Sequence, residues 1–126
     1  MNGIVYEVSD RLNCLNLPIK NIYLSEKIIL MAINSVENFI KCEINPFIDF
    51  CIIKDIFINV VIGEYLMLVK SSNLENDISL DSAIQTIKEG DTSITYFENE
   101  NNKFQNVIDY FLNKKKLLYR YKQIIW

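Results

Sequence analysis

The sequence of 126 residues contains no histidine and no pair of cysteines at CxxC spacing. Without an imidazole, the chain supplies neither a Ser-His-Asp or Cys-His catalytic group nor a histidine-ligated zinc or haem site. The turn Glu89-Gly90-Asp91 has a single glycine, unlike a loop that cradles phosphates. Acidic residues such as Asp49 and Asp55 do not have the spacing of a metal-binding loop. We therefore expect a protein that is not an enzyme and that binds no cofactor and no metal.

The sequence also lacks a long uncharged apolar run. Its most apolar stretch, residues 47–69, is interrupted by four charged residues. A membrane span needs about 20 mostly uncharged residues, so this stretch predicts a buried helix, and we expect no membrane association. The N-terminus shows no basic region followed by an apolar run, so no signal peptide is expected. Three cysteines, Cys14, Cys42 and Cys51, fit a reducing compartment and predict small buried side chains.

What is present is a packed core and an uneven distribution of charge. Half of the residues are hydrophobic, and the length suits one domain. Residues 1–113 contain all 16 acidic residues and eight basic ones, a net charge of −8. Residues 114–126 contain five basic residues and no acid, a net charge of +5. We expect an acidic body over 1–113 and a separate basic, aromatic arm over 114–126. The net charge of −3 argues against a general nucleic-acid binder.

Hydrophobic spacing predicts two long central helices and a third near the C-terminus. The first spans about 25–43, with Ser25 as its N-cap and Asn45-Pro46 at its end. The second spans about 50–71, and the third begins near Asn102 and fades near Leu118, with an extended segment expected from Tyr119 onward. The opening residues predict a small helix over 9–15, with a short strand over 4–8 as the alternative.

The second predicted helix is apolar nearly all round. Such a helix is either central to a core or covered by partners, and a chain this small has one core that buries only part of it. We therefore expect a subunit interface on this helix. The candidates for that interface are Phe57, Val61, Tyr65 and Leu68.

Residues 84–97 have two competing interpretations. Isoleucine, threonine and aromatic residues flank Gly90, which favours a β-hairpin. In the other interpretation Leu80, Ala83, Ile84 and Ile87 form one stripe of a short helix. The prediction adopted is a mainly α fold, a small helical bundle with a β-hairpin insertion at about 84–97 and an extended C-terminal arm.

The C-terminal segment ends on Ile124-Ile125-Trp126, which would expose apolar surface if it stayed free. It either folds back onto its own core or docks on another chain, by strand addition or by inserting Trp126 in a pocket. The lysine run 114–116 is open to two interpretations as well, a solvated helix end or a contact with nucleic acid.

Two segments resemble the head–tail connector (adaptor) proteins of long-tailed bacteriophages and prophages. Ile87-Lys88-Glu89-Gly90-Asp91-Thr92-Ser93-Ile94-Thr95-Tyr96 is similar to the Gly-Asp-x-Ser-x-x-Tyr segment of that family. The ending from Tyr119-Arg120-Tyr121 to Trp126 resembles the basic-aromatic ending of some members. The order of two long helices, hairpin, last helix and short arm fits too, whereas residues 1–24 match poorly.

The resemblance implies a virion structural protein of the neck that passes through the host cytoplasm during assembly. Family members form a ring, usually dodecameric, beneath the portal, extend the DNA channel without sequence-specific DNA binding, and present a surface to the next neck or tail-completion protein. Carried over, the portal-binding arm would comprise Lys114, Lys115, Lys116, Tyr119, Arg120, Tyr121, Lys122, Ile124, Ile125 and Trp126. The hairpin facing a neighbour or the channel would comprise Lys88, Glu89, Gly90, Asp91, Thr92, Ser93, Ile94 and Tyr96.

Two other functions compete with the connector. One is a small regulatory or inhibitor protein that binds its partner through the same tail. The other is a nucleic-acid-binding module that uses the basic residues 114–122, whose binding would weaken as salt rises.

Overall fold

A computed structural model describes residues 2–15, 17–74, 84–87 and 103–122 of the chain. The described residues are mainly helical and include no β-strand. In order they form α1 (Asn2–Cys14), α2 (Ile22–Phe39), a π-helix (Ile40–Ile44), α3 (Phe50–Ser71), α4 (Lys103–Leu112), α5 (Lys115–Leu118) and a 3-10 turn (Tyr119–Tyr121). The mainly α fold, the two long helices and the helix near the C-terminus are thus confirmed.

Helix α3 is the centre of the bundle. The Asp49 side chain caps its start by accepting a hydrogen bond from Cys51 N at 3.0 Å. It ends in a Schellman motif, in which Leu74 N–H bonds to Val69 O and Asn73 adopts a left-handed φ of 59°. Ten of its residues are buried, on nearly every side. Its predicted bounds of 50–71 are confirmed.

Helix α4 packs so closely on α3 that only glycine fits at the contact. A Cβ at Gly63 would lie 2.7 Å from Leu112 Cδ2 and 3.1 Å from Leu112 N. At the same interface Lys70 Nζ donates to Gln105 Oε1 at 2.6 Å. Because α4 approaches α3 this closely, the chain itself covers α3, which has no polar face.

The N-cap of helix α2 lies four residues before the predicted capping residue, Ser25. Asn21 is the N-cap, and its side chain accepts from Leu24 N at 3.1 Å. Ser25 lies one turn inside the helix, buried, with its Oγ 3.0 Å from Tyr65 Oη. Tyr65 Oη also accepts from Ile19 N at 3.1 Å. This buried network ties the α1–α2 connection to α3, so Ser25 serves the core and not the cap.

Three further predictions need correction. Residues 84–87 are helical, with Ile84 and Ile87 buried three residues apart, so the first strand of the predicted hairpin is wrong and the helical interpretation holds there. Residues 115–118 are helical, as predicted, but residues 119–121 form a 3-10 turn, so the predicted extended arm is wrong over 119–121. The alternative strand at 4–8 is part of α1, because Val8 and Leu12 place one face of a helix in the core.

The proposed subunit interface on α3 also has to be corrected. Phe57, Val61 and Tyr65 are at most 2% exposed within the single chain, because α2 and α4 already cover them. Val61 and Tyr65 offer no surface to a second copy, Phe57 offers almost none, and Leu68 is only half-buried. The apolar surplus of this helix is used inside the bundle, and any interface between copies has to be sought elsewhere.

Candidate assembly surfaces

The C-terminal lysines hold the last helical segment on the body. Lys115 Nζ lies 3.0 Å from Glu64 Oε1 on α3 and 4.9 Å from the centre of the Phe39 ring. Lys114 Nζ lies 4.9 Å from the centre of the Tyr110 ring. Ammonium groups over aromatic faces are attracted by the ring quadrupole. These two lysines of the predicted arm are therefore engaged within the chain.

The next basic residues of the segment point outward. Lys116 and Arg120 are exposed and stand four residues apart, as do neighbours on one helical face. Tyr119 packs edge-on against Phe39 at 5.9 Å between ring centres, and it remains half exposed. Lys122 Nζ lies 6.0 Å from the centre of the Tyr119 ring. This outward face of Lys116, Tyr119, Arg120 and Lys122 is called the cationic face below.

Much of what the sequence singled out lies outside the described residues. Lys88, Glu89, Gly90, Asp91, Thr92, Ser93, Ile94 and Tyr96 belong to that part of the chain, as do Ile124, Ile125 and Trp126. Leu118, which lies between Lys116 and Tyr119 of the cationic face, is fully buried. The body therefore continues past residue 113, and the described part of the arm is anchored by Leu118 and Lys115.

The turn between α2 and α3 carries a feature that the sequence reasoning missed. A π-helix precedes it, closed by a hydrogen bond of 2.8 Å from Asn45 N to Ile40 O. The Asn45 side chain then accepts from Phe47 N at 2.9 Å. Phe47 is held on this turn with 84% of its surface exposed. From the sequence, Asn45-Pro46 was predicted only as the end of a helix. The aromatic residue directly after this pair is the signal that could have indicated a protruding side chain.

A groove of about 270 Å³ opens beside this turn. Its apolar walls include Ile40, Ile48, Phe50 and Phe57, with the Phe50 and Phe57 rings edge-to-face at 5.0 Å. Glu37 and Lys41 line its rim. We call residues 45–50 together with this groove the tip.

A larger cleft of about 460 Å³ lies between α1 and α3. Lys54 Nζ lies 2.7 Å from Glu7 Oε1, and Arg11 Nη2 lies 3.5 Å from Asp55 Oδ1 across it. The hydrogen bond to Glu7 and the charge of its carboxylate raise the pKa of Lys54 above the usual value. The cleft is therefore crossed by two exposed ion pairs that join α1 to α3.

Other large hydrophobic side chains stay exposed on α2. Tyr23, Leu30 and Met31 lie on the side of the helix that faces away from its buried residues, and Ile22 is exposed at the first residue of the helix. The spacing of Tyr23 and Leu30, seven residues, places them on one line of the helix. Tyr23, Leu30 and Met31 are called the outer face of α2 below.

The cysteines do not behave as expected. Cys14, Cys42 and Cys51 are all exposed and carry free thiols, so the prediction of buried side chains is wrong. Within the described ranges, no group of three or more His, Cys, Asp or Glu side chains could hold a metal ion. No helix among those residues is long and apolar enough to cross a membrane.

Comparisons with protein-family models, with curated proteins and with solved structures found no match for the chain.

Proposed function

We propose that the chain is a structural head–tail connector of a tailed phage or phage-like particle. One observation carries the proposal: Gly90-Asp91-Thr92-Ser93-Ile94-Thr95-Tyr96 follows two long helices and precedes a last helix with a basic, aromatic ending. In this role copies form a ring under the portal, twelve by analogy with the family. The ring extends the DNA channel in the neck of the virion and joins the head to the next neck or tail-completion protein.

The arrangement of the C-terminal segment supports attachment through this end. Leu118 and Lys115 fix the segment on α3, while Lys116, Arg120 and Lys122 remain exposed. A preorganised cationic face loses little conformational entropy on binding. Repeated around a ring, such faces bind in a multivalent way, so each one binds weakly and the ring binds tightly.

The outer face of α2 supports contacts between copies in such a ring. Tyr23, Leu30 and Met31 expose apolar surface that a soluble monomer has no need of. A ring requires two different patches that meet on neighbouring copies. We assign one of these patches to the outer face of α2, in place of the buried residues of α3.

The test is association with the portal protein of the same particle, measured by co-sedimentation and by negative-stain imaging of the mixture. Lys116→Glu with Arg120→Glu should abolish association while the protein stays folded. The matched control is Lys20→Glu with Lys70→Glu, which reverses the same charge at two exposed sites outside the outer face of α2. Deleting residues 123–126 should also abolish association.

Unchanged association after both the charge reversal and the deletion would refute the arm assignment. A wild-type protein that has no affinity for the portal would refute the connector and favour the regulatory or inhibitor protein. Binding to DNA that weakens with salt and is lost on charge reversal would favour the nucleic-acid-binding module.

A further inference from the structure

The tip between α2 and α3 has a protruding ring and an apolar groove side by side. Phe47 exposes 84% of its surface, and the adjacent groove of about 270 Å³ has Ile40, Ile48 and Phe50 among its walls. An apolar cavity of roughly 150 Å³ holds a benzene molecule, so the groove has room for a phenyl ring. Phe47 itself stands outside the groove, since it is not among the residues that line it.

The rim of the groove is matched in charge to a copy of itself. Glu37 and Lys41 lie one helical turn apart on the same edge. When two such edges meet in opposite directions, each carboxylate faces an ammonium group of the other copy. An isologous interface needs this property, because the same patch is used on both sides.

The turn that presents Phe47 is already ordered in the single chain. Asn45 Oδ1 accepts from Phe47 N at 2.9 Å, Ile48 N donates to Asn45 O at 3.4 Å, and Pro46 fixes its own φ. The backbone that carries the ring is therefore ordered before any partner arrives, so burial of the ring costs mainly the rotational freedom of the Phe47 side chain.

From the ring, the groove and the matched rim we propose that the free protein forms a two-fold dimer through the tip, with Phe47 of each copy in the groove of the other. Because ring and groove lie next to each other, each copy uses both of them in the same two-fold contact. Neither is then free to bind a third copy, so the contact does not propagate. This dimer contact is distinct from the contact between copies in the proposed oligomeric ring, and it does not depend on the connector role. The two exchanged phenyl rings form its centre, and the Glu37–Lys41 pairs form its polar edge.

The first experiment measures the mass of the purified full chain by sedimentation equilibrium up to roughly 100 µM. We expect a dimer in the wild type. Phe47→Ser should weaken dimerisation roughly a hundredfold or more, since it removes two central aromatic anchors at once. Tyr23→Ser, at 82% exposure on the outer face of α2, is the control and should leave the dimer unchanged. Unfolding curves check that both variants fold, as expected for exposed positions.

The second experiment tests the two-fold arrangement by exchanging charges. Glu37→Lys alone and Lys41→Glu alone should each weaken the dimer roughly tenfold, because like charges then face each other. The double variant restores opposite pairs and should recover the wild-type affinity. A double variant as weak as the single variants, a dimer unaffected by Phe47→Ser, or a monomeric wild type over the whole concentration range would each overturn the proposal. None of these outcomes bears on binding to a portal.

Discussion

Helices α2 and α3 are both rich in large aliphatic residues, yet the chain uses them in different ways. α3 is covered on nearly every side, by α1, by α2 and by α4, and Val61 and Tyr65 have no surface left for a partner. α2 buries one face and leaves Tyr23, Leu30 and Met31 exposed on the other. Mean apolar content therefore does not locate an interface. What matters is whether the rest of the chain has enough elements to cover each face.

The strongest test of this difference compares two leucines. Leu66→Ala in α3 removes a fully buried side chain and should lower the free energy of unfolding by about 2–5 kcal/mol. Leu30→Ala in α2, at a half-exposed position, should change it by less than about 0.5 kcal/mol. Urea unfolding of both variants measures the difference. A loss at Leu30 as large as that at Leu66 would mean that the outer face of α2 is covered in solution.

Two tyrosines make the same comparison for a polar group. Tyr65→Phe deprives Ile19 N–H and the Ser25 hydroxyl of their buried partner and should cost about 1–3 kcal/mol. Tyr23→Phe, on the exposed face of α2, should cost almost nothing. Thermal or urea unfolding provides the readout. Ser25→Ala should cost less than Tyr65→Phe, because the Ile19 N–H keeps its acceptor, and the reverse order would argue against the network.

Two glycines test how closely α3 is covered. Gly63→Ala places a Cβ 2.7 Å from Leu112 Cδ2, and the overpacking of about 1–3 kcal/mol should outweigh the helix-propensity gain of about 1 kcal/mol. Gly3→Ala in α1 has nothing within 4 Å of the new Cβ and should be stabilising. The two substitutions are expected to change the free energy of unfolding in opposite directions. Adding Leu112→Ala should reduce the penalty at Gly63, although the contact with Leu112 N remains, and an undiminished penalty would place its cause elsewhere.

The smallest effect concerns the lysines that join the C-terminal segment to α3. Lys115→Met breaks the ion pair with Glu64 and the contact with the Phe39 ring, and should cost no more than about 1 kcal/mol. Lys116→Met should leave stability within about 0.5 kcal/mol, since its side chain faces solvent. The expected order is measured by urea unfolding at low and high salt. Equal losses would contradict the distinct roles of these neighbouring lysines.

The sequence predicts some of these elements well because local and tertiary signals agree there. A nearly continuous apolar pattern marks α3, and Val107, Ile108 and Phe111 mark α4, whereas the Asp49 cap was not predicted. The prediction of Ser25 as the N-cap is wrong because a serine hydroxyl, which caps helices well, can equally form a hydrogen bond inside the core. The residues at 84–87 mislead because isoleucine and threonine favour strands until burial of Ile84 and Ile87 on one side decides for a helix.

The candidate surfaces were harder to predict than the helices. Exposure of Phe47 depends on the path of the chain through the turn, which no local pattern records. The engagement of Lys115 depends on Glu64 and Phe39, which lie far away in sequence. Lys116 and Arg120 were among the predicted arm residues. Only the packing of α5 shows that these two face solvent while Lys114 and Lys115 contact the body.

The π-helix has a consequence for how this protein could diverge. Its bonds join residues five apart, as between Asn45 N and Ile40 O, so the segment holds one residue more than a regular turn would need. Loss of a single codon between residues 40 and 44 would let the same two groups close an ordinary bond between residues four apart, so the residues that follow would keep their orientation. A deletion within the regular part of α2 would instead rotate everything that follows, Phe47 included, by about a quarter to a third of a turn.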